Sequence, residues 1–520
     1  MSTLITLDPV ELPEIRGLVV KYLSKRDLVQ CVRASHSWNR LFIPYIWEQI
    51  DLNEKLIRRG FSPESLTPYS HLVKSISVTD VPEFRSLVSA CPNLQSLQVT
   101  MPSFGLLRTY QQTLRNQLSA VLTDTLSIVR LVMDSVYVDW SLITMLKNLK
   151  ELKLSNCDTM IQSSVGDFWN RDHPRLESLS LSFVHIPDLW EEPEQSTSIY
   201  PIFPNVKLLE IERLTTLPEG NQVEIIRQCP NLETLRFLAY FRERIQSSLP
   251  KEIVRLAAAG SWPKLRNLHY NGPILSGQGS ADILRSMELC YQWDISYADF
   301  NIKSLQALGE HYSTLTRVNL TYCDSARSDM LQEILSSCPQ LRKFRGVRIF
   351  AKDIVQGKPW VCSSLQTFMA FIDFEEKPGV TAEEAEEMGQ STISTLAILD
   401  DLDVKILQQA VFEALSHLSN LKNLSVGLEL SVSEGIQEFR HGLDFKLGNG
   451  LELLGGLKDL EIVGVSNTLQ DMGMEEIEWM LTHWRRLKQI MGTCCHRDKQ
   501  TDLWLLRHLS SQGVTVDYVS

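Results

Sequence analysis

The stretch Leu149-Lys150-Glu151-Leu152-Lys153-Leu154 decides how most of this chain of 520 residues folds. Its three leucines occupy positions n, n+3 and n+5, a spacing that lets a short strand bury one side in a stacked core. Similar triplets recur about every 20 to 35 residues, as expected of a repeat array. The other copies are Val73-Ile76-Val78, Leu94-Leu97-Val99, Ile128-Leu131-Met133, Leu176-Leu179-Leu181, Val206-Leu209-Ile211, Leu232-Leu235-Phe237, Leu265-Leu268-Tyr270, Leu284-Met287-Leu289, Leu315-Val318-Leu320, Leu365-Phe368-Ala370, Leu421-Leu424-Val426 and Leu457-Leu460-Ile462, with degenerate copies at Leu341-Phe344 and Leu487-Ile490.

Short amphipathic helices are predicted before several of these strands. Residues 223–228 and 330–336 each lead into a Cys-Pro pair, at Cys229-Pro230 and Cys338-Pro339. Proline halts a helix and turns the chain into the next strand. The pattern therefore predicts helices that alternate with strands.

From Val73 to Leu487 the array resembles leucine-rich-repeat proteins. The resemblance implies an α/β solenoid in the form of a horseshoe, with parallel strands on the concave face and helices outside. It also implies that Cys157 and Cys323, each three residues beyond a triplet, bond to the turning backbone where their strands end.

The first 50 residues have a different pattern. Pro13 and Glu14 suit the first turn of a helix, and apolar residues follow at helical spacing. In order, Leu12-Pro13, Tyr22-Leu23, Asp27-Leu28, Trp38 and Trp47 resemble the F-box, a small all-α module that joins substrate receptors to cullin–RING ubiquitin ligases. One residue is missing after Pro13, and Ala34 and Ser35 stand where the family usually shows Val and Cys. The alternative is a plain helical cap on the repeats.

These patterns divide the chain into segments. We predict an F-box-like module at residues 8–50, a connector at 51–70 and a repeat array at 71–520. The alternative for the connector is that it packs as an irregular first repeat. Glutamate-rich runs predict an acidic insertion near 374–398, followed by a helix across 406–417. Atypical sequence near 470–520 predicts a capping region, with a closing strand around Val514 and Val516.

Composition and charge argue against several classes of protein. A formal net charge of −12 disfavours nucleic-acid binding by bulk electrostatics. We expect no membrane partner and no secretory signal, because no apolar run approaches about 20 residues and the first ten residues lack a basic segment followed by an apolar one. The ten cysteines are expected to be reduced thiols in the cytoplasm, the nucleus or both.

Motifs that carry chemistry are missing from the sequence. There is no His-Glu-x-x-His, phosphate-binding glycine loop or Gly-x-Ser-x-Gly elbow. Gly277-Gln278-Gly279 is predicted to be a loop. Cys494-Cys495-His496 is a local thiol–imidazole cluster without a Cys-x-x-Cys partner. We therefore expect no catalytic residue, metal or cofactor, although an enzyme whose residues meet only in space stays an alternative.

Strand alternation places residues n+2, n+4 and n+6 on the face opposite the core. That face is predicted to be rich in serine and threonine early, at Ser75, Ser77, Thr79, Ser178, Ser180 and Ser182. Later it is predicted to carry Arg236, His269, Arg317, Lys343, Arg345, Thr367, Met369 and Phe371, and then Asp459 and Glu461. We predict that Arg317, Lys343, Arg345, Met369 and Phe371 bind an acidic or phosphorylated target segment. The alternative is an ordinary solvated surface.

Together the two resemblances imply a non-catalytic substrate-recognition subunit of an SCF-type E3 ubiquitin ligase. Leu12, Pro13, Leu23 and Leu28 would then contact a Skp-type adaptor, and the repeats would bind a protein target of unknown identity. One alternative is a leucine-rich-repeat interaction scaffold with a degenerate F-box and no ligase link. Another is a regulator whose concave face binds a small GTPase or a metabolite.

Overall fold

The computed structural model describes residues 11–79, 84–101, 108–159, 168, 173–185, 203–214, 219–239, 248–272, 274–374, 401–427, 442–495 and 498–517. The chain divides into two compact units, Met1–Leu232 and Glu233–Ser520. The acidic insertion predicted near 374–398 lies outside the described residues, except for Phe374.

Three helices form the N-terminal module: α1 (Pro13–Val20), α2 (Lys25–Ala34) and α3 (His36–Trp47). Ser24 and Asp27 start α2 with a capping box, in which each side chain accepts a hydrogen bond from the other residue's backbone N–H. Ser35 caps α3 by accepting a hydrogen bond from the Trp38 N–H at 3.1 Å. The serine that departs from the F-box pattern therefore has a local role, because it begins the third helix.

Aromatic contacts hold this module together and tie it to the next segment. Phe42 is buried, and its ring lies 5.5 Å from that of Trp38. Trp47 stacks on Tyr69 at 4.5 Å, beyond the end of the module.

The segment predicted as a connector has regular structure. It contains the end of β1 (Gln49–Asn53), then α4 (Glu54–Arg58), α5 (Pro63–Leu66) and most of a 3₁₀ helix at Thr67–Leu72. Ile50 and Leu52 are buried and lie in register with Ile76 and Val78 of the following strand. The repeat sheet therefore begins with β1.

In the described residues of the first unit, seven parallel strands form the main sheet, and a two-stranded ribbon accompanies it. In order, the sheet strands are β1, β2 (Ser75–Thr79), β3 (Ser96–Thr100), β4 (Arg130–Asp134), β6 (Glu151–Ser155), β8 (Ser178–Ser182) and β9 (Leu208–Glu212), and the ribbon is β5 (Tyr137–Val138) with β7 (Asp158–Thr159). The described helices between them are α6 (Arg85–Ser89), α7 (Arg108–Asp124), α8 (Trp140–Thr144) and α9 (Glu219–Arg227).

Ten parallel strands form the sheet of the second unit, counted over the residues that the structure describes. They are β10 (Thr234–Leu238), β11 (Asn267–Asn271), β12 (Gln292–Ser296), β13 (Arg317–Asn319), β14 (Lys343–Phe350), β15 (Thr367–Asp373), β16 (Asn423–Ser425), β17 (Ile462–Gly464), β18 (Gln489–Met491) and β19 (Thr515–Asp517). The described helices are α10 (Leu249–Ala258), α11 (Gly277–Ser286), α12 (Ile302–Gly309), α13 (Ser328–Ser337), α14 (Ala351–Gln356), α15 (Asp401–Ser416), α16 (Met474–His483) and α17 (Lys499–Ser511), with 3₁₀ turns at Leu447–Asn449 and Leu451–Gly456.

The core of each unit is a stack of apolar side chains in strand register. Leu152 lies between Leu131 and Leu179, and all three are fully buried. Burying one such side chain contributes about 1.5 to 3 kcal/mol. The predicted leucine-rich-repeat solenoid is confirmed, as are the helices predicted at 223–228, 330–336 and 406–417 and the closing strand around Val516.

Two buried thiols complete the strand exits as expected. The Cys157 Sγ donates to the Ser155 carbonyl at 3.1 Å and to the Met133 carbonyl of the neighbouring strand at 3.5 Å. The Cys323 Sγ donates to the Ile295 carbonyl at 3.5 Å. Burial raises the pKa of both thiols to about 12, so they stay protonated and bond to backbone oxygens.

Two of the predicted triplets were wrong in register. Leu284 lies in the last turn of helix α11 and does not start a strand. The strand that follows uses Cys290-Trp293-Ile295, all fully buried. The triplet at Leu457 is shifted by three residues, because β17 buries Val463 beside Leu424 of β16. Asp459 and Glu461 therefore precede the strand, where they form ion pairs with Arg486 and Lys488.

The loop predicted at Gly277-Gln278-Gly279 was also wrong, because these residues begin helix α11. Ser276 caps the helix by accepting a hydrogen bond from the Gly279 N–H at 3.1 Å. A Cβ atom at Gly277 would lie 2.0 Å from the Asn301 Nδ2. Close packing against the Asn301 side chain of the next repeat therefore favours glycine at this position.

Candidate functional site

In the second unit, the side chains that lie opposite the core form a polar sheet face. It consists of two columns of side chains in register on neighbouring strands, one that includes Arg317 and one that includes Asn319. Strand register places Arg317 beside Lys343 and then Thr367 in one column. It places Asn319 beside Arg345 and then Met369 in the other. Adjacent strands lie about 4.8 Å apart, so four of the five residues predicted to bind a target lie close together.

Asp294 holds this face together. Its carboxylate accepts hydrogen bonds from Arg317 at 2.5 Å and from Asn319 at 2.6 Å. Its other contact is with the His269 Nδ1 at 3.1 Å. The His269 Nε2 in turn lies 3.1 Å from the Gln292 Oε1. Arg317 is therefore already bound to a carboxylate of its own chain.

The environment of Asp294 keeps this carboxylate ionised. Burial by itself raises the pKa of Asp294, but the hydrogen bond from His269 and the charge of Arg317 outweigh it. The pKa is consequently lowered below the ordinary value for aspartate.

Lys343 and Arg345 are the cations of this face that stay available. Lys343 is exposed and Arg345 is half-buried. Among the residues that the structure describes, neither has an ion-pair partner. They differ in this respect from Arg348, which contacts Asp373 at 3.3 Å and lies over the Phe371 ring at 5.9 Å.

Met369 and Phe371 are buried, with only 8% and 1% of their areas exposed. Both line a small cavity of about 40 Å³ whose wall also includes Arg345 and Tyr322. That volume is close to that of one water molecule, so the cavity suits the tip of one side chain and not a separate small ligand.

The sequence interpretation missed Asp294 and Arg348. Asp294 was overlooked because its strand was placed six residues too early, at the Leu284 triplet. The signal was present, since Cys290, Trp293 and Ile295 have the n, n+3, n+5 spacing once cysteine and tryptophan count as core residues. Arg348 lies beyond a register shift between Arg345 and Arg348, which no spacing rule anticipates.

The four residues predicted to contact an adaptor fall into two groups. Leu12 and Pro13 are exposed where α1 begins. Leu23 is half-buried and Leu28 is only 4% exposed, and both line a cavity of about 490 Å³ with Val20. Leu28 therefore lies in the interior of the module.

A larger apolar surface lies beside Leu12. Six of the 17 exposed large apolar side chains found among the described residues fall between positions 12 and 29, and Tyr22 is the most exposed of them, at 87%. They are Leu12, Ile15, Leu18, Val19, Tyr22 and Val29. Helical spacing in the sequence predicted that most of these residues share one helix face. It does not predict whether that face is buried in the chain or exposed.

The described residues contain no group of three His, Cys, Asp or Glu side chains able to hold a metal ion. His496 lies outside the described residues, whereas its neighbours Cys494 and Cys495 are buried. No helix in the described part of the chain is long and apolar enough to cross a membrane.

Comparison with known proteins finds similarity at the level of structure alone. No protein-family model matches the sequence, and no curated protein does. A leucine-rich-repeat protein of Leptospira interrogans is 13% identical, with a TM-score of 0.35, over 94% of this chain and 98% of its own. A chain in the structure of the yeast Rad7 and Elc1 complex is 11% identical, with a TM-score of 0.38, over 98% of this chain and 91% of its own. An internalin of Listeria monocytogenes is 12% identical, with a TM-score of 0.30, over 88% of this chain and 89% of its own. Similarity this low carries no argument about what the chain binds.

Proposed function

We propose that this chain is a non-catalytic substrate-recognition subunit of an SCF-type E3 ubiquitin ligase. Its N-terminal helices dock on a Skp-type adaptor, and its repeats bind the protein that is to be ubiquitinated. The observation that carries the proposal is the apolar surface between Leu12 and Val29. It coincides with the stretch whose order of residues resembles the F-box.

An apolar surface of this density on a small helical module suits a stable protein partner. Monomeric proteins rarely expose large contiguous apolar patches unless a partner covers them. Burying Leu18 and Tyr22 in an interface would contribute about 1.5 to 3 kcal/mol each. Leu12 and Pro13 extend the same surface at the start of α1, whereas Leu28 supports it from inside.

The polar sheet face of the second unit is proposed as the target site. Lys343 and Arg345 supply charges for an acidic or phosphorylated segment, and the cavity formed by Met369 and Phe371 accepts one apolar tip. Arg317 contributes indirectly, because Asp294 holds it in place. Replacing Lys343 and Arg345 by glutamate should abolish ubiquitination of the target while leaving adaptor binding unchanged.

Such a subunit accelerates ubiquitin transfer by proximity alone. Holding the target beside the loaded conjugating enzyme converts a bimolecular encounter into an intramolecular one. No catalytic side chain, metal or cofactor is needed from this chain. A receptor of this class works in the cytoplasm or nucleus, where its adaptor and cullin partners reside.

The test is direct binding of the purified full chain to a Skp-type adaptor, measured by calorimetry. We expect a dissociation constant in the micromolar range or tighter. The Leu12→Ala/Pro13→Ala and Leu18→Ser/Tyr22→Ser variants should each weaken binding, the second by about 100-fold, the equivalent of about 3 kcal/mol. Ile302→Ser/Val355→Ser is the matched control, because both residues are exposed apolar side chains of the second unit.

Each result has a clear meaning. Binding that both N-terminal variants weaken and the control retains supports the ligase receptor. Absence of binding by the wild-type chain contradicts it and favours an interaction scaffold with a degenerate F-box.

A further inference from the structure

An open groove of about 670 Å³ lies in the first unit, where the N-terminal helices meet the beginnings of the strands. Helix α3 contributes Arg40, Leu41 and Tyr45 to one wall. The other wall is formed by residues that lead into successive strands, among them Lys74 and Lys150. This volume lies within the range of ligand-binding sites in proteins.

The groove is strongly basic on a chain whose net charge is −12. Five arginine and lysine side chains line it, and Glu48 is the one carboxylate among the lining residues. The five cations are Arg16, Arg40, Lys74, Lys150 and Arg175. Local charge of this sign concentrates anions and steers them into a cleft.

Two of these cations are neutralised and three are not. Lys74 pairs with Glu48 at 2.9 Å, and Lys150 pairs with Glu177 at 3.0 Å. In the described part of the chain, Arg16, Arg40 and Arg175 have no carboxylate partner.

Neutral side chains nevertheless position two of the free guanidinium groups. Arg16 donates to the Tyr45 hydroxyl at 3.4 Å and lies over its ring at 5.9 Å. Arg175 donates to the Asn148 side-chain oxygen. Both groups keep further N–H donors for a bidentate contact with a carboxylate or phosphate.

The groove extends along the row of strands. Lys74, Gln95, Val129 and Lys150 line it and directly precede β2, β3, β4 and β6, and Arg175 lies just before β8. Five neighbouring strands about 4.8 Å apart span about 19 Å. An extended peptide covers that distance with about six residues.

We propose that this groove binds an extended acidic peptide segment of another protein. Along the row of strands, Lys74 precedes β2 at one end, Lys150 and Arg175 precede β6 and β8 at the other, and Val129 precedes β4 between them. Leu41 and Pro44 of helix α3 add apolar wall to the groove. A compact anion would neutralise one end only, whereas an extended segment with carboxylates or phosphates along its length reaches both. The site is distinct from the polar sheet face of the second unit and does not depend on adaptor binding.

The test uses the full chain and fluorescein-labelled peptides, with binding followed by fluorescence anisotropy. One peptide carries glutamates around a central leucine, a second carries phosphoserines in their place, and a third carries glutamines. Sodium tripolyphosphate is the compact competitor. The protein variants are Arg40→Glu/Arg175→Glu, the milder Arg40→Gln/Arg175→Gln, and the control Lys499→Glu/Arg507→Glu, which changes net charge equally on exposed residues of helix α17.

We expect the acidic peptides to bind and the glutamine peptide not to bind. Charge reversal in the groove should weaken binding by at least about tenfold, the glutamine variant less, and the control by less than about twofold. The ratio between the glutamate and phosphoserine peptides identifies which acidic group the groove prefers.

Other results overturn the proposal. Equal losses in the groove variants and the control would mean that binding follows bulk charge. Unchanged affinity in both groove variants would place the peptide elsewhere. If tripolyphosphate displaces the acidic peptides fully and binds as tightly as they do, the groove is a site for a compact anion. Adaptor affinity is measured on Arg175→Glu alone, because Arg175 lies outside the N-terminal helices, and it should be unchanged. Failure here is therefore distinguishable from failure of the proposed ligase role.

Discussion

Removing the Asp294 carboxylate should destabilise the second unit locally and severely. In the Asp294→Ala variant, His269, Arg317 and Asn319 lose their shared acceptor at the same time. Two of these three side chains, His269 and Asn319, are buried and have little access to replacement water. The polar sheet face would then contain donors without partners.

The magnitude follows from the exposure of each partner. A hydrogen bond to a charged group contributes about 1.5 to 3 kcal/mol. Arg317 keeps 32% of its side chain exposed, so water compensates most of its loss and we count less than about 1 kcal/mol for it. His269 and Asn319 together bring the expected loss to about 3 kcal/mol, near the lower end for a broken buried ion pair.

Urea unfolding of the full chain, followed by circular dichroism, measures the loss. Hydrogen exchange on peptides from β11 to β14 locates it, because repeat arrays lose stability near the altered repeat. Asp459→Ala is the matched control, since its ion pair with Arg486 is exposed and should contribute less than about 1 kcal/mol. Equal costs for the two variants, or faster exchange spread evenly over the unit, would refute the assigned role of Asp294.

Three further predictions follow from the same structure. Because the pKa of Asp294 is lowered in the folded chain, its ionised carboxylate stabilises the fold above a pH of about 4, and this contribution is lost as the pH falls further. The Asp294→Asn variant should therefore lose less stability than the wild type between about pH 5 and pH 3, which equilibrium urea titrations measure. Ellman's reagent at about pH 8 should react rapidly with one thiol of the native chain, Cys31, because the other nine are buried; a second fast thiol would contradict this, and denaturation should expose all ten. Gly277→Ala should lower the free energy of unfolding in urea by about 1 to 2 kcal/mol, because the new Cβ displaces the Asn301 side chain, which caps α12 by accepting a hydrogen bond from the Lys303 N–H. Gly448→Ala should lower it less, because nothing lies within 4 Å of the added atom.

The repeat fold was largely predictable because it depends on a local spacing. Leu152 and its equivalents are buried wherever an n, n+3, n+5 triplet of aliphatic residues occurs. The prediction failed at Leu284 because a helix also presents leucines three residues apart, and the true strand there uses Cys290 and Trp293. It failed at Leu457 because the sequence continues the triplet with Leu460 and Val463, and only strand pairing selects the register.

The candidate sites were less predictable because they depend on which side chains bind one another across strands and on which side chains are buried. Alternation placed Arg317, Lys343 and Arg345 on one face, but nothing local to Arg317 reveals that Asp294, 23 residues earlier, binds it. Met369 lies on the predicted face, yet only 8% of its area is exposed, and alternation along the strand does not reveal this burial. The basic groove combines Arg16 and Arg40 with Arg175, which lie far apart in the sequence.

The central claim is that the surface between Leu12 and Val29 is where this chain meets its adaptor. Hydrogen exchange of the full chain, with and without a saturating Skp-type adaptor, tests it most directly. The account predicts slower exchange in peptides from residues 12–29, with the repeat peptides of the second unit unchanged. Unchanged exchange across 12–29, or protection confined to the repeats, would contradict it.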